Sequence, residues 1–181
     1  MKHPKGFLST VQQYVAVTAI GPSSLRNQGA SGVIDTAREF LTNLDLNDFV
    51  VKQRAGFDTV LDSKTNRLRK DFPKKAQNWG AARKAINLFL RDSLYNRYLA
   101  ERYQLDIIEP WLEIPLDSKV AKGLMRESRK LKIPIKSPVW PGIKNLSIEV
   151  SSQFQSLANE IARKKGLARI HLDIHLWLEE R

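Results

Sequence analysis

The sequence predicts an all-α protein, a compact helical domain over residues 1–181. Three observations carry this. Apolar residues recur at helical spacing along most of the chain. Capping residues and glycines stand where those runs start and stop. The one alternating stretch, Ile170 to Leu178, has no partner strand elsewhere, and a lone strand is not stable in water. The 181 residues are 42% hydrophobic and 27% charged, enough to bury a core and too apolar for a disordered chain.

The elements follow in order. Ser9 or Thr10 is placed to cap a first helix through about Ala19, which Gly21-Pro22 stops. Ser23 or Ser24 caps a second helix towards Leu44. Val33, Ile34, Ala37, Phe40, Leu41 and Leu44 form its apolar stripe, and Gly29 and Gly32 weaken its first turns. Asn47 caps a third segment carrying Val50, Phe57, Val60 and Leu61, and residues 63–78 are polar and basic with Pro73 as a breaker. The clearest helix runs from about Gly80 to about Tyr103. It is apolar on most sides and therefore central. Its exceptions, Lys84, Asn87 and Arg91, fall on one stripe. After a short proline-punctuated stretch over 104–116, Asp117 caps a helix through about Leu131. Pro134, Pro138 and Pro141 make 133–145 a loop; Ser147 opens a helix to about Lys165, and Gly166 ends it. Leu167, Ile170, Ile174 and Trp177 also share a helical stripe, so the last segment reads as helix. The chain reads as one domain, with two lobes around a cleft, divided near 45–78, as the alternative layout.

Composition removes several chemistries. Cysteine is absent, which excludes disulfides, thiolate nucleophiles, iron–sulfur clusters and cysteine-ligated zinc. His3, His171 and His175 are the only imidazoles; a histidine pair needs further ligands to hold a metal, so no metal site is expected. There is no GxxxxGK[ST], GxGxxG or GxSxG motif, and no cofactor is expected. No apolar run is long enough to span a bilayer, so no membrane partner is expected. Lys2 and Lys5 precede FLSTVQQYVAVTA in the manner of a secretion signal, but Gln12 and Gln13 interrupt it where such a segment is most apolar. A cytoplasmic location is the expectation.

Charge points to a polyanion. The net charge is +11 and the pI about 10.0. It is unevenly placed: residues 52–91 carry eleven basic and three acidic groups, 92–118 two basic and six acidic, and 119–136 seven basic and one acidic. Two basic blocks flank an acidic stretch. Nucleic acid, most naturally duplex DNA, suits this pattern, because Lys and Arg on phosphates release condensed counterions. A solvated basic face without a ligand is the plainer reading.

Within these blocks two motifs stand out. Asn78-Trp79-Gly80-Ala81-Ala82-Arg83-Lys84-Ala85-Ile86-Asn87 is a short glycine-containing turn running into a long helix, whose free backbone amides suit a phosphate. The second is Ile114-Pro115-Leu116-Asp117-Ser118-Lys119-Val120-Ala121. Together they resemble the helix-hairpin-helix DNA glycosylases of the endonuclease III superfamily, whose hairpin reads L-P-G-x-G-R-K-x-A-N and whose later motif reads P-x-D-[TS]-x-V. Gly80 matches the first hairpin glycine; Arg83, Lys84 and Asn87 match its R, K and N; Pro115, Asp117, Ser118 and Val120 match the aspartate motif. The likeness covers residues 74–125, with a weak echo of an L-x-x-Q segment at Leu25 and Gln28. Ala82 stands in place of the second hairpin glycine and Trp79 in place of the proline, and the interval from Lys84 to Asp117 is longer than in most members, a length tolerated by branches acting on 8-oxoguanine.

The resemblance implies a helix-hairpin-helix-like element near residues 70–103 and base excision from DNA, with or without strand cleavage at the abasic site. Lys84 would be the amine nucleophile and Asp117 the carboxylate that steadies positive charge on the sugar. Burial on an apolar helix would favour the neutral amine. The target base must leave the duplex, and Trp79 or Gln28 is placed to fill the gap. Gly80, Ala82, Arg83, Lys74 and Lys75 would bind phosphates. Each residue also has a structural reading: Asp117 as an N-cap, Lys84 at the helix rim, Trp79 in a core, the basic residues as a solvated face, Gln28 bonded to its own helix. Two other functions fit the charge, a non-catalytic DNA- or RNA-binding module and an adaptor for an acidic protein.

Overall fold

The computed structural model describes residues 4, 6–134 and 138–179, and every described regular element is helical. His3 lies outside these residues. Helix α1, Phe7–Ala19, starts after Gly6, whose positive φ of 91° turns the chain in; Ser9 and Thr10 sit inside its first turn and donate back to the Gly6 carbonyl. The segment that looked like a secretion signal is thus a core helix, burying Val15, Ala16 and Ala19. Gln12, which broke its apolar run, is buried and donates to the carbonyls of Leu41, Thr42 and Leu44, closing the end of the next helix.

That helix, α2, is Val33–Thr42 and begins far later than the expected Ser23 or Ser24. The reason lies in the backbone: Asn27, Gly29 and Gly32 all have positive φ, which a right-handed helix cannot contain. Gly29 also lies so close to the Lys75 carbonyl that a Cβ would stand 2.7 Å from it. A short 3₁₀ turn, Leu46–Phe49, is capped by Asp45 rather than Asn47. Helix α3, Arg54–Asp71, runs through most of the polar stretch because Phe57, Leu61, Thr65 and Leu68 keep one buried stripe.

Residues 72–78 lead into α4, Trp79–Tyr95, which is buried continuously from Gly80 to Leu90 and packs against α1, α2 and α3. The expected single helix to Tyr103 is two. Asn96 leaves helical geometry and its side chain accepts from the amides of Tyr98 and Leu99, capping α5, Arg97–Tyr103. Two 3₁₀ turns and an extended segment, 112–117, then lead to α6, Ser118–Lys130. Helix α7, Ile148–Lys165, has the Ser147 cap and the Gly166 end that the sequence predicts. The terminal segment is helical, a 3₁₀ turn at Arg169–His171 and then α8, Leu172–Leu178. Gly123 lets the Leu176 side chain of α8 lie directly on α6.

Two apolar cores result. One joins α1 to α5 through Phe49, Phe57, Phe89 and Leu99; the other joins α6, α7 and α8 through Leu124, Phe154, Leu157 and Leu176. Leu46, Phe57, Leu68 and Ala76 all belong to the first core, which runs along the chain to Leu112 and also takes in Ile170, while the second begins at Ile114. Among the described residues no helix is long and apolar enough to cross a membrane.

Candidate active site

Helix α4 is the element both halves share, and its polar stripe faces the seam. Lys84 is 9% exposed. Its Nζ donates to Asp117 Oδ2 at 3.0 Å and to the Ser24 carbonyl at 3.1 Å. Asp117 divides its oxygens between two tasks. Oδ1 accepts from the Lys119 and Val120 amides at 2.9 and 3.0 Å, as an N-cap does, which leaves Oδ2 turned to Lys84. One side chain therefore caps α6 and pairs with Lys84 at the same time. Burial pushes the Asp117 carboxyl up, but Lys84 and the two amides outweigh it and hold the group below the usual carboxylate range.

The pair opens into a cleft of about 720 Å3, within the roughly 300–1,000 Å3 of small-molecule sites. Its first wall is the loop after α1, with Ser23, Ser24, Arg26 and Gln28. Leu88 and Arg91 continue the α4 side beyond Lys84. Opposite stand Trp140 and Ile143 from the loop before α7, and Asp173 and Trp177 from α8. Arg91 bonds Asp92 at 2.7 Å and Asp173 across the seam. Burial pushes the Asp173 carboxyl up; Arg91 opposes this without reversing it, and Asp117 adds to it.

Several expected contacts are placed elsewhere. Arg83 is buried rather than offered to phosphate: Nε and Nη2 bind both oxygens of Glu113 at 2.8 and 3.0 Å, and Nη1 binds Asp62 at 2.8 Å and Thr65 at 3.1 Å. Its guanidinium also lies over the Trp79 ring, 5.3 Å from the centroid. Trp79 is half-buried against the second core and does not line the cleft, so it is no wedge there; Trp140 and Trp177 are the cleft's indoles. Gly80 and Ala82 are buried, and the α4 N-terminus is covered by the 143–146 turn, so its amides do not form a phosphate site. Lys74 and Lys75 are exposed on a 3₁₀ turn outside the cleft. Gln28 lines the cleft, but its amide is engaged at both ends, donating to Arg26 and accepting from Asn78.

Trp140 and the Ser24 carbonyl carry no signal in the sequence, Trp177 is visible there only as a member of the last helical stripe, and Asp173 only as a neighbour of His171 and His175. Arg91 was visible only as a member of the α4 stripe. His171 bonds Tyr95 through Nδ1 at 2.7 Å and Glu109 through Nε2 at 3.0 Å, so both ring nitrogens are engaged. Among the described residues no three metal-ligating side chains converge. The geometry offers an amine, a carboxylate beside it, and an accessible cavity with aromatic and polar walls. No protein-family model, curated protein or solved structure matches the chain.

Proposed function

We propose that the chain is a DNA base-excision glycosylase with abasic-site lyase activity. The observation that carries this is the 3.0 Å approach of Lys84 Nζ to Asp117 Oδ2, from elements 33 residues apart, inside an open cleft. The likeness of residues 74–125 to helix-hairpin-helix glycosylases and the basic chain support it. A base turned out of the duplex would enter the cleft, where Trp140 and Trp177 supply stacking faces and the Arg91–Asp173 pair supplies hydrogen-bonding edges. Arg26 and Lys119, exposed at the cleft, would meet the flanking phosphates.

The chemistry follows from the pair. Lys84 must lose its proton before attack, and Asp117 Oδ2 is the acceptor in place. The amine lone pair then forms a bond to C1′ as the N-glycosidic bond breaks; its electrons leave with the base, which takes the proton that Asp117 had received from Lys84. Ionised again once that proton has gone to the base, Asp117 steadies the positive charge on the sugar. The sugar ring then opens as the C1′–O4′ bond breaks, one proton of the attached nitrogen passing to O4′ and the nitrogen lone pair forming the C=N bond of an iminium linkage to Lys84. Loss of a C2′ proton then expels the 3′ phosphate by β-elimination, and water releases the enzyme.

Borohydride trapping tests this. Wild-type protein with duplexes bearing a damaged base or an abasic site should yield a covalent adduct, and Lys84→Gln should abolish it. No adduct with any such duplex would remove the lyase reading. The double engagement of Lys84, to Ser24 as well as Asp117, also suits a structural tie in a non-catalytic DNA- or RNA-binding protein. On that reading binding is salt-dependent, no base is released, and Asp117→Asn leaves binding intact.

A further inference from the structure

Arg83 and Glu113 lie outside the cleft, yet they join the two segments that carry its central pair. On α4, Arg83 precedes Lys84. On the extended segment, Glu113 stands just upstream of Asp117, with Pro115 between them. The two ion pairs are therefore successive rungs between the same two pieces of backbone. Asn87, one turn along α4, adds a third contact by donating to Glu113 Oε2 at 3.1 Å.

We infer that the Arg83–Glu113 pair is a positioning device: it fixes the register of residues 112–117 against α4 and so holds the Lys84 amine at the Asp117 carboxylate. Its catalytic purpose rests on the function proposed above; its geometric content does not.

The upper rung cannot set this register unaided. A lysine is a point charge on a flexible stem, whereas a guanidinium offers a planar fork that engages both carboxylate oxygens at once. Arg83 uses that fork on Glu113, and its remaining nitrogen reaches Asp62 and Thr65 of α3, so the fork is itself held from behind. The side chains of Arg83 and Glu113 are only 9% and 12% exposed. A buried ion pair is a poor way to add stability, since a well-packed apolar pair of similar volume often serves as well or better. What it supplies beyond an apolar contact is direction. The other polar anchors of this segment lead elsewhere: Gln155 of α7 holds the amide and carbonyl of Ile114, and Arg169 holds the carbonyls of Trp111 and Leu112. Within residues 112–116, the described hydrogen bonds to α4 all pass through Glu113.

The test is the double variant Arg83→Met with Glu113→Leu, which keeps volume and removes the fork. Its first readout needs no DNA: carbon-13 NMR titration of the Asp117 carboxyl. The midpoint should shift upward relative to wild type, because Lys84 no longer stands beside it, while near-ultraviolet circular dichroism shows the tertiary fold retained. The second is the single-turnover trapping rate on an abasic duplex, which should fall at least tenfold with duplex affinity changed less than twofold. An unmoved Asp117 midpoint overturns the inference whatever the DNA assay shows. Should the double variant not fold, Arg83→Lys, which keeps charge and loses the fork, decides by the same two readouts. If wild-type protein traps no duplex, the catalytic reading of Lys84 fails, and the Asp117 titration still decides the positioning role.

Discussion

Replacing Gly80 with alanine would place a Cβ 2.4 Å from the Ile143 carbonyl oxygen and 2.8 Å from the Leu146 Cβ. Ordinary contact begins at 3.4 Å, so the 143–146 turn must retreat by about 1 Å or α4 must move. One of the two obstacles is backbone, which cannot rotate aside as a side chain can. Overpacking of this kind costs about 1–3 kcal/mol. Alanine returns up to about 1 kcal/mol of helix propensity, and less here, because Gly80 is the second residue of α4. The net loss is about 1–2 kcal/mol, or roughly 2–8 °C of melting temperature for a chain of this size. Thermal unfolding followed by far-ultraviolet circular dichroism measures it, with duplex affinity measured alongside. A phosphate-contacting Gly80 predicts the opposite pattern, weaker DNA binding at unchanged melting temperature. An unchanged or raised melting temperature refutes the packing account. The same retreat would move Ile143, which lines the cleft, so any glycosylase activity should fall with stability.

Other outcomes follow from the same geometry. Asp117 has a depressed folded value, so its contribution is complete above the ordinary aspartate value of about 3.9 and is lost as the pH falls through the folded value; Asp117→Asn should cost more stability at neutral pH than near pH 3. Asp173 has a raised folded value, so its contribution is complete below about 3.9 and is lost as the pH rises through the folded value; Asp173→Asn should show the reverse dependence in paired urea titrations. Gln155→Leu strips both partners from the buried Ile114 backbone, and at about 1–3 kcal/mol for each unpaired group it should lower the unfolding free energy by roughly 2–6 kcal/mol. Asn96→Ala removes the cap between α4 and α5 and should cost about 0.5–2 kcal/mol by chemical denaturation.

The helical class was legible because period and caps agree over most of the chain. Asp117, Ser147 and Gly166 do at their helix ends what their side chains prescribe locally. The errors arose where a local preference met a distant partner or a backbone torsion. Leu94, Tyr95, Tyr98 and Leu99 continue a helical stripe across Asn96, so hydrophobicity hides a break made by one side-chain cap. The delayed start of α2 depends on positive φ at Asn27, a residue that only sometimes adopts it. Arg83 read as a phosphate ligand because its acidic partner, Glu113, is 30 residues away in sequence. The Ser24 carbonyl carries no side-chain signature at all. Asp173 and Trp177 belong to the cleft because α8 folds back on α6, a placement that depends on Gly123 and that no motif records.

Lys84 and Arg83 are neighbours on one helix and pair with carboxylates of one short segment, yet only one of these pairs is suited to chemistry. Both cations are nearly covered, so cation burial does not separate them. The carboxylates do. The Asp117 side chain is 34% exposed and the Glu113 side chain 12%. Glu113 spends its oxygens on Arg83 and Asn87, and burial, overcome by Arg83, Arg169 and Asn87, leaves it a fixed charge held below the usual range. Asp117 spends one oxygen on its cap and turns the other to an amine that a ligand in the cleft can also approach. A catalytic pair must be ordered enough to hold its geometry and open enough to exchange its partner for a substrate. On the function proposed above, the two requirements fall to separate rungs, the closed one supplying order and the open one access.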